Sequence, residues 1–237
     1  MNHADKRNGF TLIELMLAMA FVSALLIAVA MTVIQIANTY NRGLTLKEVN
    51  QAGRSLASEL QRSIAQSAIF NINPGIGSQY IPSAWGGRLC LGQYTYIWNY
   101  GKAISAPLDS NRNVYSPNPT GAEIRFVKVL DPNNSYCTTP AKKVDPTSAV
   151  ELLNIGEHYL AVHNFSITTS ATAADSKTGQ QLYAIQFVLG TNDQNALTTD
   201  ANGFADGCKL SNIAGADPAY CSVNQFDIVA RAGNSVQ

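Results

Sequence analysis

The sequence predicts an α+β fold, with one long N-terminal helix packed on an antiparallel β-sheet head. Three observations predict it. No proline interrupts the chain before Pro74. From Leu46 the apolar residues recur every three or four positions, the spacing of one helix face. Further along they alternate instead, in short runs separated by Gly, Asn, Asp and Pro, which is the period of strands.

Residues 10 to about 69 read as a single helix. Leu15 to Ile34 is 20 residues without a charge. At about 1.5 Å per residue that crosses a hydrocarbon layer of about 30 Å. Ala18, Ala20, Ser23, Ala24, Ala28 and Ala30 are small enough to let neighbouring helices approach closely. Thr32 and Gln35 mark the outer boundary. Gly43 is the weakest point, at a cost of about 1 kcal/mol relative to Ala, and is a candidate for a bend. Beyond it, Leu46, Val49, Gly53, Leu56, Leu60 and Ile64 form one apolar stripe suited to cover a sheet. Arg54, Ser58, Glu59 and Arg62 fall largely on other faces. Glu48, Arg54, Glu59 and Arg62 are spaced for local ion pairs, worth only a few tenths of a kcal/mol each. Asn71 to Gly77, with Pro74 inside it, ends the helix.

Residues 71 to 120 read mostly as loop with strand-like islands at Arg88–Gly92 and Gln93–Tyr100. Tyr94, Tyr96 and Trp98 share one face. That face reads as sheet core, with glycan binding as the functional alternative. Asn111 to Thr120, rich in Pro and Asn, reads as an exposed loop. Glu123–Leu130 is a strand, closed by an Asp131-Pro132-Asn133-Asn134 turn. Residues 131 to 147 form a loop tethered by Cys137, and Val150–Leu153 is a short strand or a turn. Tyr159–Thr168 and Gln181–Gly190 pair across a polar hairpin loop, and Asn224–Gly233 is the last strand. Sequential strands with short polar turns favour an antiparallel meander.

The chain has 237 residues, a formal net charge of zero and 14% charged residues. Residues 38 to 70 carry Arg42, Lys47, Arg54 and Arg62 against Glu48 and Glu59; residues 71 to 237 carry ten cations against twelve acids. No basic stripe with interleaved aromatics is present, so no nucleic-acid partner is expected. Cys90, Cys137, Cys208 and Cys221 all lie beyond the apolar run, and an even count in a translocated segment reads as two disulfides. Cys208–Cys221 closes the short loop, which leaves Cys90–Cys137. A zinc site is the rival reading, but there is no C-x-x-C and no ligand spacing to His158 or His163.

Glu14 is the odd residue, because a carboxylate costs roughly 2.5–3.5 kcal/mol at the centre of a membrane helix and less near its edge. Its own helix offers no cation. Cutting the chain between Gly9 and Phe10 would create one, the Phe10 α-amine, about one turn away. The stretch Gly9-Phe10-Thr11-Leu12-Ile13-Glu14-Leu15, behind a short leader with Lys6 and Arg7, resembles the N-terminal motif of type IV pilins and type II secretion pseudopilins. The resemblance implies that a membrane aspartyl peptidase, the prepilin peptidase, cuts after Gly9, that Phe10 is N-methylated, and that Glu14 docks the subunit into a helical filament. The alternative is an ordinary signal anchor with a chance Glu. A cleaved secretory peptide would place its cut after the apolar run, whereas Gly9 precedes it. Lys6 and Arg7 should keep the leader cytoplasmic and send the head outside.

The segments expected are a leader at 1–9, a transmembrane half-helix at 10–37, an amphipathic stalk helix at 38–70 and a β-rich extracytoplasmic head at 71–237. The long helix, with its stretch from Val49 to Arg62, is similar to that of PilW-like minor pilins and J-type pseudopilins, over about a quarter of the chain. The resemblance thus implies a pilin-like fold and a structural minor pilin of a type IV pilus. Its partners would be the membrane, the prepilin peptidase, the pilus assembly platform and other pilin subunits, and no cofactor is implied. A pseudopilin of a type II secretion system and a pilus-tip adhesin are the rival functions. The helix departs from major pilins in lacking a proline in its membrane half.

No catalytic set emerges, and the chain is read as a non-enzyme. It has no Gly-x-Ser-x-Gly elbow and no phosphate-binding glycine loop, and the five-residue spacing of His158 and His163 puts them on opposite faces of a strand. The loop from Thr191 to Gly207 holds Asp193, Asp200, Asn202 and Asp206, hard oxygen ligands that faintly echo a calcium loop but lack its closing Glu. The bland reading is a solvated turn tied down by Cys208–Cys221.

Overall fold

The computed structural model describes residues 11–105, 124–139, 144, 148–153, 159–169 and 178–233. By its contacts the chain divides into two units, residues 1–41 and residues 42–237. Helix α1 (Leu12–Ala65) contributes to both and stays helical at Gly43. The division falls inside the expected stalk because Val49, Leu56, Leu60 and Ile64 belong to the same core as the sheets.

In the second unit, β1 (Tyr80–Ser83), β2 (Gly86–Leu91), β3 (Tyr94–Asn99), β4 (Phe126–Leu130) and β5 (Ala149–Glu151) form a five-stranded antiparallel meander in chain order. A short helix, α2 (Gly101–Ile104), comes after β3, and another, α3 (Ser135–Thr138), after β4. A second antiparallel sheet joins β6 (Leu160–Thr169), β7 (Gln181–Thr191) and β10 (Val223–Ala232), in the order β10-β7-β6. Between β7 and β10 lies a two-stranded ribbon, β8 (Leu197–Thr199) with β9 (Ala205–Cys208). Among the described residues a parallel bridge from Tyr100 to Val162 links the two larger sheets. One meander was expected; the strands divide between two sheets and a ribbon, with the break between β5 and β6, and β10 returns past the ribbon to pair with β7.

The buried face of α1 differs slightly from the expected stripe. Thr45, Val49, Ala52, Gly53, Leu56, Ala57, Leu60, Ser63 and Ile64 are buried, whereas Leu46 is 47% exposed. Thr45 takes the inner position because its hydroxyl donates to the Ala219 carbonyl at 3.1 Å. Each large apolar side chain on this face stabilises the packing by about 1.5–3 kcal/mol, far more than an exposed ion pair, so the stripe and not the charges holds the helix on the sheets. At Gly53 the helix comes closest: an added Cβ would lie 2.1 Å from the Phe226 ring. That ring in turn stacks on Phe187, with centroids 5.2 Å apart.

The helix ends at Ala65, four residues short of the expected end. Ser67 donates to the Ile64 carbonyl from both its amide (3.1 Å) and its hydroxyl (2.9 Å), which closes the last turn. Tyr183 then captures Phe70: its hydroxyl accepts from the Phe70 amide (3.0 Å) and donates to the Phe70 carbonyl (2.6 Å), and the rings stack at 3.9 Å.

Both faces of the five-stranded sheet are covered. Tyr96, Trp98 and Phe126 face the core shared with α1, while Ile97, Val127 and Val129 pack with Tyr136 and Val144 on the other side. Asp131 organises that second layer by accepting from the Ser135 and Tyr136 amides and from the Thr95 and Ser135 hydroxyls. Burial opposes its ionisation, but these donors outweigh burial and lower its pKa. The cysteines pair as Cys90–Cys137 and Cys208–Cys221, with Cα atoms 6.4 Å and 5.9 Å apart.

Candidate functional site: the apolar helix and its first turn

From Leu12 to Ile36 the large apolar side chains of α1 are all exposed, as Leu12 (76%), Phe21 (67%) and Ile36 (69%) illustrate. A contiguous apolar surface of this kind needs a covering partner. Its hydroxyls need no water: Ser23 donates to the Met19 carbonyl (2.8 Å), Thr32 to Ala28 (2.9 Å) and Thr39 to Gln35 (2.9 Å). Such back-bonding suits a helix placed in lipid, where every polar group must be satisfied internally. The helix is long and apolar enough to cross a membrane.

At its start Glu14 and Thr11 bond reciprocally. The Glu14 carboxylate accepts from the Thr11 amide (2.9 Å) and hydroxyl (2.8 Å), and the Thr11 hydroxyl accepts from the Glu14 amide at 3.3 Å. This is a capping box, which satisfies two backbone donors that a helix start otherwise leaves open. Docking therefore does not have to account for Glu14 alone. A Thr three positions before a Glu, ahead of an apolar run, is legible in the sequence as a capped helix start. Gly9 and Phe10, the expected cleavage and methylation positions, lie outside the described residues.

In the second unit Glu59 makes the local ion pair with Arg62 that its spacing predicts and gathers two further partners that the spacing did not announce. Its carboxylate pairs with Arg62 one turn away, and it also accepts from the Lys128 ammonium of β4 (2.7 Å) and the Tyr96 hydroxyl of β3 (2.9 Å). The Ser63 hydroxyl lies 2.5 Å from the Tyr96 hydroxyl; since the phenol's one hydrogen goes to Glu59, Ser63 is the donor there. Burial opposes the charge on Glu59, but Lys128, Tyr96 and Arg62 outweigh it and hold the pKa at about 2. A carboxyl depressed below its ordinary 4.5 adds stability above that pH, and the contribution drains away as pH falls towards 2. Lys128→Met should destabilise the fold at neutral pH by about 1–2 kcal/mol and flatten the loss of stability between pH 5 and 2. Denaturant titrations at several pH values check this; an unchanged acid slope would show that Lys128 does not set the Glu59 charge.

Tyr96 and Trp98 are fully buried, so the aromatic face is core and offers no glycan platform. His163 is buried on β6 beside a bulge, its Nε2 3.0 Å from the Thr191 carbonyl, and burial lowers its pKa to about 4. His158 lies outside the described residues, as does the segment 111–120. Asp193 accepts from the Asn195 amide (2.9 Å), Asp200 from the Asn202 (2.9 Å) and Phe204 (2.8 Å) amides, and Asp206 from the Thr198 hydroxyl (2.7 Å). Asp193 and Asp200 thus bond within their own turns, and Asp206 bonds across the β8–β9 ribbon. Among the described residues no group of three or more His, Cys, Asp or Glu side chains is placed to hold a metal ion.

Comparison of the chain with protein-family models, with curated proteins and with solved structures gives no match.

Proposed function

We propose that the chain is a structural subunit of a type IV pilus, a minor pilin, held in the membrane by α1 until its leader is removed and then assembled into the filament. One observation carries this reading: the sole acid in the exposed apolar part of α1, from Leu12 to Ile36, sits in the first turn, directly behind the Gly9–Phe10 junction in sequence. Prepilin peptidase cleavage there would free an α-amine beside Glu14. In a bundle of such helices, that amine and the carboxylate compensate each other where no water reaches. The helix supplies the filament axis and the second unit, stapled by two disulfides, supplies the outward surface. Its work is assembly, with the pilus assembly platform and other pilin subunits as partners, and not catalysis. The leader stays cytoplasmic and the head extracytoplasmic before assembly.

Mass spectrometry of the protein recovered from sheared filaments tests this. The expected mature N-terminus is Phe10 bearing one N-methyl group. A chain that still begins at Met1 and occurs in no filament would overturn the reading. Phe10 at the N-terminus of a chain confined to the cell envelope, with loss of exoprotein release on its deletion, would instead favour a secretion pseudopilin.

A further inference from the structure

We propose that Cys208–Cys221 is a thiol–disulfide exchange site, opened in the folded protein by a dithiol protein of the Cys-x-x-Cys class, while Cys90–Cys137 stays closed. The proposal concerns the second unit alone and does not depend on filament assembly. Each disulfide offers one half-buried sulfur to an incoming thiolate, Cys208 in one and Cys137 in the other. What separates the two is the sulfur left behind and the hold on the chain around it.

Attack on Cys208 releases the Cys221 thiolate. Both cysteines line a groove of about 470 Å³, and the charged residues that line it with them, Arg42 and Lys209, are cations. Cations stabilise a thiolate, and a more stable thiolate leaves faster. The Cys221 sulfur also lies 3.6 Å from the Ala196 carbonyl, which accepts from the thiol once the thiolate takes up a proton. Attack on Cys137 would instead release the thiolate of Cys90, which is fully buried. The Thr95 hydroxyl is 3.2 Å from the Cys90 sulfur, but it is also 2.9 Å from the carboxylate of buried Asp131. Arg88, on the same strand, directs its Nη1 to the Tyr136 and Thr139 carbonyls. A thiolate at Cys90 would thus form out of reach of water and close to a second anion, which opposes it.

The hold on the chain differs in the same sense. Between Cys208 and Cys221 only Ala219 is buried, and Leu210 to Gly215 are all exposed. Little apolar contact draws this loop back once the bond opens, so it is a segment of low local stability. By contrast α3 stays in place without its disulfide, because Asp131 holds the Ser135 and Tyr136 amides and Arg88 the carbonyls that follow. Its thiols would remain face to face and re-form the bond. In the exchange at Cys208, the partner's thiolate sulfur bonds to Cys208 Sγ as the Sγ–Sγ bond breaks, and the electron pair leaves with Cys221. The partner's second thiolate then displaces Cys208 from the mixed disulfide. Both cysteines of the chain end as thiols, with the two protons of the partner's dithiol, and the partner ends as a disulfide, two electrons poorer.

The test uses the full chain in detergent, with all four cysteines in disulfides at the start. It is exposed to dithiothreitol and, separately, to a thioredoxin whose second active-site cysteine is replaced by serine. Thiols formed after timed exposure are blocked with iodoacetamide and located by peptide mass spectrometry, while indole emission reports the core. The expected result is labelling of Cys208 and Cys221 about tenfold faster, or more, than of Cys90 and Cys137, a difference of about 1.4 kcal/mol in barrier. Indole emission should not shift, the thioredoxin variant should be trapped on Cys208, and amide hydrogen exchange should rise over residues 209–220 but not over 135–139. Equal rates at the four cysteines, or labelling that waits for the emission to shift, would make both disulfides purely structural and overturn the proposal. Trapping on Cys137 would overturn it as well, because the buried pair would then be the one that opens.

Discussion

Glu14→Gln is expected to leave membrane insertion and leader removal intact and to lower incorporation into filaments by more than about tenfold. An unpaired charge held away from water costs several kcal/mol, and about 1.4 kcal/mol is already a factor of ten. The choice of Gln matters because Glu14 also caps α1 through Thr11. Gln can still reach back to the Thr11 amide, so it keeps the cap and removes only the charge. Thr11→Val does the reverse: it loses the hydroxyl that accepts from the Glu14 amide, at about 1 kcal/mol, and keeps the carboxylate. Immunoblots of sheared filaments against whole cells separate the two roles. Normal assembly of Glu14→Gln would sink the docking role, and an equal defect in Thr11→Val would assign Glu14 to the cap.

Gly53→Leu should destabilise the second unit by about 3 kcal/mol or more. Leucine at a helical position gains up to about 1 kcal/mol over glycine in propensity. The gain is outweighed here, because an added Cβ already lies 2.1 Å from the Phe226 ring and leucine adds three more carbons. Phe226 is backed by Phe187, so the ring cannot retreat without opening the core. Forcing methylenes into a packed core costs about 1–3 kcal/mol, and a whole side chain belongs at the upper end or beyond. Arg54→Leu, at the adjacent exposed position, is the control and should stay within about 0.5 kcal/mol. Denaturant unfolding of the detergent-solubilised chain compares them; equal stabilities would show that α1 shifts away from Phe226 at no cost.

The long helix, the disulfide partners and six of the strands are legible in the sequence because each leaves a local mark: period, loop length or alternation. The stripe from Val49 to Ile64 fixes which side of α1 is buried without reference to anything distant. What it does not fix is the inner position of Thr45, decided by the Ala219 carbonyl far along the chain. The division of strands between two sheets is equally hidden. The five-stranded sheet is covered on both faces, so Ile97 is as buried as Tyr96 and Trp98, and alternation says little about it. At the candidate sites, the Thr11–Glu14 box was readable from spacing alone. Lys128 on Glu59 was not, because nothing near residue 59 points to β4. The acids of the loop at 193–206 look like ligands in sequence; their hydrogen bonds, within a turn for Asp193 and Asp200 and across the ribbon for Asp206, are visible only in the geometry.

Trp98 and Trp85 are the chain's two tryptophans, and α1 has none. Trp98 is fully buried, stacked on Phe126 at 5.4 Å, and Trp85 is half-buried in the same unit. Indole emission from the whole protein, even when it is dissolved with its apolar segment in detergent, therefore comes from residues 42–237 alone. A red shift in that signal reads the wetting of the two indoles of this unit, with no indole background from the exposed apolar part of α1.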